Sequence, residues 1–181
     1  MTDITAVNGT FTIDPAHSRL GFVTRHAMIT KVRGSFDEFA GTASGNGSDA
    51  SSVSVEVTAQ TASFTTGNAD RDAHVKSADF LDVENHPTMT FRSTSAAIKD
   101  DVLELTGDLT IKGVTKCLTI PFEFGGEALD PFGNTRIGFE GRTKISRKDF
   151  GLTWNAALET GGVLVSDDVA LELEISAIKQ N

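Results

Sequence analysis

The sequence predicts an all-β protein, an extended antiparallel β-barrel of about eight strands with a short helical insertion around residues 70–82. Three observations carry this expectation. Apolar and polar residues alternate in run after run, turn-forming clusters separate the runs, and one stretch alone loses the two-residue rhythm. Alternation of period two gives a strand one buried and one wet face, which is the pattern of antiparallel sheets. Eight or nine such strands with regular turns suggest a barrel or a sandwich.

In chain order, short strands are expected over about residues 10–14, 18–26 and 32–42. Residues 44–52 (SGNGSDASS) read as a flexible hairpin loop. Val53, Val55 and Val57 then alternate with Ser54 and Glu56. Residues 67–84 (GNADRDAHVKSADFLDVE) break the rhythm. There Asp70 is placed to cap a short helix, with Val75, Ala78 and Phe80 or Leu81 facing inward. Strand signals resume over about 87–97. Leu103, Leu105, Leu109 and Ile111 form the next series, then Leu118, Ile120, Phe122 and Phe124. Gly125-Gly126 and Asp130 to Asn134 punctuate the following hairpin, which returns over 135–146. Lys148 to Gly162 is irregular, and Val169, Leu171, Leu173 and Ile175 make the last strand.

A chain of 181 residues fits one domain, since folded units run to about 100–200 residues. No linker or internal repeat divides it. The single cysteine, Cys117, excludes an internal disulfide and a cysteine-rich zinc site. The opening MTDITAVNGTFTID lacks a basic segment followed by an apolar run, and no window is apolar enough to cross a bilayer. The expectation is a cytoplasmic protein, or a secreted one if a leader has been trimmed away, with no transmembrane segment. A net charge of −9 repels nucleic acid and anionic membranes alike, unless positive charges cluster. Twelve Phe, one Trp and no Tyr supply apolar area with almost no polar handles, which suits either a dense core or a cavity for a hydrocarbon ligand.

Catalytic and metal signals are weak. Ser18 follows His17 at a strand start, with no nucleophile-elbow motif. His17, His26, His74 and His86 lack metal-ligand spacing. No enzyme activity, metal or cofactor is expected. His26 shares a strand face with Leu20, Phe22 and Thr24, so it points into a barrel or its mouth. A lone inward histidine is commonly structural, but a barrel mouth is also where a mixed apolar and polar site belongs. Arg142, Lys144, Arg147 and Lys148 form a basic cluster. The first two fall on the polar face of their strand, and the second two are placed to turn toward a mouth.

Residues 11–26 (FTIDPAHSRLGFVTRH) resemble the opening motif of the YceI-like, polyisoprenoid-binding, lipocalin-like proteins. Gly34-Ser35-Phe36 with Phe39 and Gly41 resemble the family's next strand. Residues 70–80 (DRDAHVKSADF), then Asp82, Pro87, Phe91 and Ser93, resemble its helical segment and the strand after it. Residues 107–115 (GDLTIKGVT) look like its most recognisable hairpin, and Arg147, Asp149, Phe150 and Gly151 like its late signature. The matches run in order across nearly the whole chain. One departure is Phe11, where the family usually has Tyr.

The resemblance implies a barrel enclosing a long apolar channel for an isoprenoid lipid, either an isoprenoid quinone or a polyprenyl phosphate or diphosphate. The protein would act as a carrier, buffer or sequestering protein. The alternative is a stress-related structural barrel with no specific ligand. Expected ligand-binding positions are Phe22, His26, Phe36, Phe91, Leu109, Ile111, Phe139, Phe150 and Trp154. Candidate head-group contacts are Arg25, Arg71, His74, Arg147 and Asn155. Arg71, Asp72 and His74 also suit a second role, pinning the helical insertion to a strand. The partner expected is this lipid or another long-chain one, with no nucleic acid; a homodimer is left open.

Overall fold

The computed structural model describes residues 3–159 and 162–181. Eleven strands and one α-helix appear in the order β1 (Asn8–Ile13), β2 (Arg19–His26), β3 (Thr30–Phe36), β4 (Phe39–Asn46), β5 (Asp49–Gln60), β6 (Phe64–Thr65), α1 (Ala69–Lys76), β7 (Thr88–Lys99), β8 (Val102–Ile111), β9 (Val114–Leu129), β10 (Thr135–Ser146) and β11 (Asp168–Lys179). Every pairing is antiparallel between neighbours in a meander, and β1 and β2 both pair with β11. The sheet therefore closes into an eight-strand barrel. Closure pairs every strand of the ring on both sides, while the two-residue β6 pairs with β3 alone.

Eight strands arise from eleven segments because three long strands are each bent once. β1 and β2 are one strand kinked by a 3₁₀ turn at Pro15–His17, whose backbone is held by the Asp14 carboxylate accepting from Ala16 N–H at 3.1 Å. β3 and β4 kink at Asp37-Glu38, and β5 and β6 at Thr61–Ser63. The second and third kinks are laced together. Asp37 N–H donates to the Ser63 carbonyl, Glu38 N–H to Ser63 Oγ, and Gln60 N–H to the Glu38 carbonyl.

Inward faces follow the alternation in the sequence. Leu103, Leu105, Leu109 and Ile111 of β8 are all under 9% exposed. Large rings reach across small neighbours: a Cβ on Gly34 or on Gly141 would overlap the ring of Phe22 or of Phe122. Those glycines let phenylalanines lie flat along the wall.

Several local expectations need correction. The 44–52 segment is not a loop; β4 runs to Asn46 and β5 starts at Asp49, so the turn is two residues long. Gly125-Gly126 does not turn the chain. It lies inside β9 as a bulge, where the register with β10 shifts between Gly138 and Phe139. The helix cap is Asn68, which accepts the Arg71 N–H at 3.0 Å, and Asp70 sits in the first turn. Helix α1 ends at Lys76. Ala78 is exposed, while Phe80 and Leu81 in the turns beyond it are buried. A short polar helix cannot bury its own face, so its continuation supplies the anchor.

Candidate functional site: a one-ended amphipathic cavity

The barrel interior holds a cavity of about 640 Å³, within the range of about 300–1,000 Å³ common for small-molecule sites. Its wall runs along β8 from Leu103 to Ile111, which is roughly 26 Å of strand, or about 20 Å along the axis after strand tilt. The space is long and narrow.

Polarity is distributed unevenly along it. The polar side chains of the wall are Thr24, Arg25, His26, Thr66, Asp70, Arg71, His74, Thr90, Arg147 and the indole of Trp154. All come from one end, where β2 meets β3, where α1 joins β6 to β7, and where the 147–167 segment joins β10 to β11. The deep part is hydrocarbon throughout, with Val55, Leu105, Ile120, Phe122, Phe139 and Ile175 among its walls. Beyond it Val7, Phe11, Ile137 and Ala177 form a buried cluster, with Phe124 and Phe139 packed against it, their rings 5.2 Å apart. The 3₁₀ turn Ile4–Ala6 covers that end, with Ile4 3% exposed. Phe11 is 3% exposed among apolar groups, so this end has no use for the hydroxyl of a tyrosine.

The nine positions expected to bind ligand (Phe22, His26, Phe36, Phe91, Leu109, Ile111, Phe139, Phe150 and Trp154) all lie on the cavity wall. Phe22 stacks on Phe64 at 5.0 Å, and Phe36 meets Phe64 edge-on at 5.7 Å. Phe64 was not singled out in the sequence, because it stands just after a strand kink where no alternation marks it. Trp154 meets the edge of His74 at 4.5 Å and packs near Phe80 at 5.4 Å. His74 Nε2 lies 2.9 Å from the Asp79 carboxylate. These contacts fasten α1 to the 147–167 segment across the mouth.

The five candidate head-group residues divide by what their polar atoms already do. Arg147 is 4% exposed and spends its guanidinium on four backbone carbonyls. Nε donates to Ser166, Nη1 to Leu152 and Trp154, and Nη2 to Val165. Burial lowers its pKa below the ordinary arginine value, and nearby Asp167 opposes that shift. Asn155 does not line the cavity. Its amide donates to the Val165 carbonyl and accepts from the Ala156 and Val165 N–H groups. These two side chains therefore hold the 147–167 segment in shape.

Arg71 donates through Nε and Nη2 to Thr66, whose own N–H and hydroxyl donate to Asp72 Oδ1 at 2.8 and 2.6 Å. The pin joining α1 to the end of β6 is thus a relay through Thr66, a residue that no motif or spacing marks. Arg25 and His26 are exposed at the rim, and neither side chain has a hydrogen-bond partner among the described residues. Among the described residues, the polar groups at the mouth without a hydrogen-bond partner include Arg25, His26, Asp70, the remaining Nη1 of Arg71 and the indole N–H of Trp154. Arg142 and Lys144 point outward as expected, Arg142 lying 3.2 Å from Glu172 on the solvated wall. Among the described residues no three His, Cys, Asp or Glu side chains converge, and no helix is long and apolar enough to cross a membrane.

A UPF0312 protein of Ectopseudomonas mendocina is 39% identical over 165 residues, covering 91% of this chain and 83% of that one. A UPF0312 protein of Staphylococcus aureus is 38% identical over 163 residues, covering 90% and 93%. Among solved structures, Burkholderia cenocepacia BcnA superimposes with a TM-score of 0.80 at 25% identity, covering 91% of this chain and 98% of its own. A polyisoprenoid binding domain from Saccharophagus degradans shares the fold, with a TM-score of 0.73 at 16% identity, covering 96% and 100%. The family described as YceI-like domain matches residues 11–177. With that profile spanning nearly the whole barrel, the chain belongs to the YceI-like family.

Proposed function

We propose that the protein binds one long-chain isoprenoid lipid, tail inward and head at the α1 end, and serves as its carrier, buffer or sequestering protein. The observation that carries this reading is the confinement of polar wall groups to one end of a deep hydrocarbon cavity. Burying a chain there is worth about 0.8 kcal/mol per CH₂, so the tail can supply most of the affinity and the head needs few contacts. The structural likeness to a polyisoprenoid binding domain is consistent with it.

A neutral head such as a quinone suits the mouth better than a diphosphate. Arg147 is committed to carbonyls, Arg71 is half committed to Thr66, and Asp70 lies on the same rim. Desolvating a diphosphate there has few free donors to offset it. Ser18 supports binding over catalysis. Its hydroxyl is engaged with the backbone of Ser176, far along β2 from His26.

The experiment is organic extraction of the purified protein with mass spectrometry, together with Trp154 fluorescence on titration with prenyl lipids of graded length. A saturable change with long prenyl lipids, absent with short alcohols and insensitive to salt, is expected. A steep loss of affinity with salt would make the head anionic, and no binding by fluorescence or calorimetry would retire the carrier reading. Replacing Leu105 by Trp blocks the middle of the cavity, at a cost of about 1–3 kcal/mol in stability. By calorimetry, long chains should be lost before short ones; equal loss at all lengths would indicate a damaged fold.

A further inference from the structure

The β2–β3 turn stands at the rim of the mouth and has an unusual build. His26 and Thr30 pair at its base, and Ile29 N–H donates to the His26 carbonyl at 3.2 Å. Ala27 and Met28 between them both have left-handed backbones, with φ of 52° and 69°. Such a turn suits a hairpin, but Asn and Gly are the residues it favours. An alanine and a methionine there store strain. This turn holds Met28 and Ile29 out in water, 53% and 79% exposed. Val163, 38% exposed, stands beside them. Ala27 N–H reaches the Leu164 carbonyl at 2.7 Å, His26 bridges to Val165, and Met28 packs toward Gly162. Both segments that carry the apolar tip also line the cavity, through His26 on one side and Leu164 and Val165 on the other.

Arg25 and Lys31 face each other across the β2–β3 register at the base of this tip. Both are exposed, and neither forms an ion pair among the described residues. The adjoining residues 157–168 carry three carboxylates: Glu159, Asp167, which accepts from Ser146 Oγ, and the exposed Asp168. In a chain of net charge −9, the tip sets three apolar side chains beside a facing pair of cations, with Glu159 and Asp168 the exposed carboxylates of the adjoining segment. The other exposed apolar tip, Leu129 and Phe132 at 73% and 88%, differs on both counts. It lies at the closed end, beside Asp130, and its nearby cation Arg136 is already held by Asp14 and Asp130.

We infer that the Met28–Ile29–Val163 tip docks on an anionic lipid bilayer and turns the cavity mouth toward it. The apolar side chains enter the headgroup layer while Arg25 and Lys31 meet lipid phosphates. Three side chains are too few for a stable protein interface, which needs about 1,000 Å² of buried surface. A bilayer needs no such matching surface. The inference rests on the lipid-binding reading for its purpose and is tested separately from it.

The test is flotation of the full-length protein with ligand-free vesicles of phosphatidylcholine alone and of phosphatidylcholine mixed with phosphatidylserine, compared with M28N/I29S and with K31Q. Asn tolerates a left-handed backbone, so the double variant keeps its turn; far-UV circular dichroism and prenyl-lipid titration in solution should match the parent protein. The parent should float with the mixed vesicles and much less with phosphatidylcholine alone. M28N/I29S should lose at least tenfold in partitioning, and K31Q roughly fivefold, the effect of one cation at an anionic surface. Failure of the parent to float with mixed vesicles overturns the inference even if prenyl lipids bind in solution. Equal flotation of M28N/I29S and the parent also overturns it. Dimerisation that M28N/I29S abolishes, without vesicle binding, would make the tip a protein contact and overturn it too.

Discussion

The two ends of this barrel solve opposite problems. The closed end is finished with apolar matter: Val7, Phe11, Ile137 and Ala177 pack against Phe124 and Phe139 under a single 3₁₀ turn. The mouth is finished with backbone. Helix α1 and the described residues of the β10–β11 connection (147–159 and 162–167) are laid over it, and they stay in place because Arg147, Asn155 and the Thr66 relay satisfy their polar groups. A side-chain plug costs little to bury but cannot open. A cap of irregular backbone must have its carbonyls and N–H groups paired to exist at all, yet it leaves polar atoms where a head group would lie. On the proposed lipid-binding reading, the difference would give chain-length selection to one end and head-group selection to the other.

Substitutions at each end should separate these roles. Phe11→Ala has the largest expected effect, a loss of about 3–5 kcal/mol in urea unfolding, because a buried ring leaves a void. The same void extends the hydrocarbon cavity, so the variant should accept longer prenyl chains with its head-group preference unchanged. A shift in head-group preference would break the division between the ends.

Arg147→Met should follow, costing about 3 kcal/mol, since four carbonyls of the cap lose a charged donor. Arg147→Lys should rescue little, because a point charge cannot replace a planar fork that serves four acceptors. The Trp154 emission should shift to the red as the cap loosens, whereas in Phe11→Ala it should stay as in the parent. A full rescue by lysine would show that charge alone matters there.

The smallest effect concerns pH and the ion cluster beside the closed end. Arg136 lies 2.8 Å from Asp14 and 2.7 Å from Asp130. Its guanidinium, with His17, holds the Asp14 carboxyl below its ordinary 3.8, and the Asn134 N–H and then Arg136 do the same for Asp130. Groups depressed in the folded state stabilise it above their unfolded pKa and lose that contribution as pH falls through the folded value. The urea midpoint of the parent should therefore exceed that of Arg136→Met at neutral pH, with the gap closing below 3.8. A gap unchanged at low pH would show that Arg136 acts by packing alone.

The strand count, the inward faces and the nine cavity positions were legible because a period of two fixes which side chains share a face, wherever the face ends up. Leu20, Phe22, Thr24 and His26 show this, lying together on the wall as their spacing required. Arg147 and Asn155 were legible only as polar residues near an end. Their partners, the carbonyls of Leu152, Trp154, Val165 and Ser166, carry no side-chain signature, so a structural clamp and a head-group contact read alike in sequence.

By itself, then, the sequence determined the antiparallel strands, the apolar interior and the family, all consequences of local alternation and of ordered motifs along the chain. Tertiary structure alone decided that three strands bend at one level, that the glycine pair in β9 is a bulge and that the polar wall residues gather at a single end. The physical reason is closure. Bringing β1 and β2 against β11 sets which strand ends become neighbours, and a one-dimensional pattern fixes a residue's face without fixing what lies across the barrel from it.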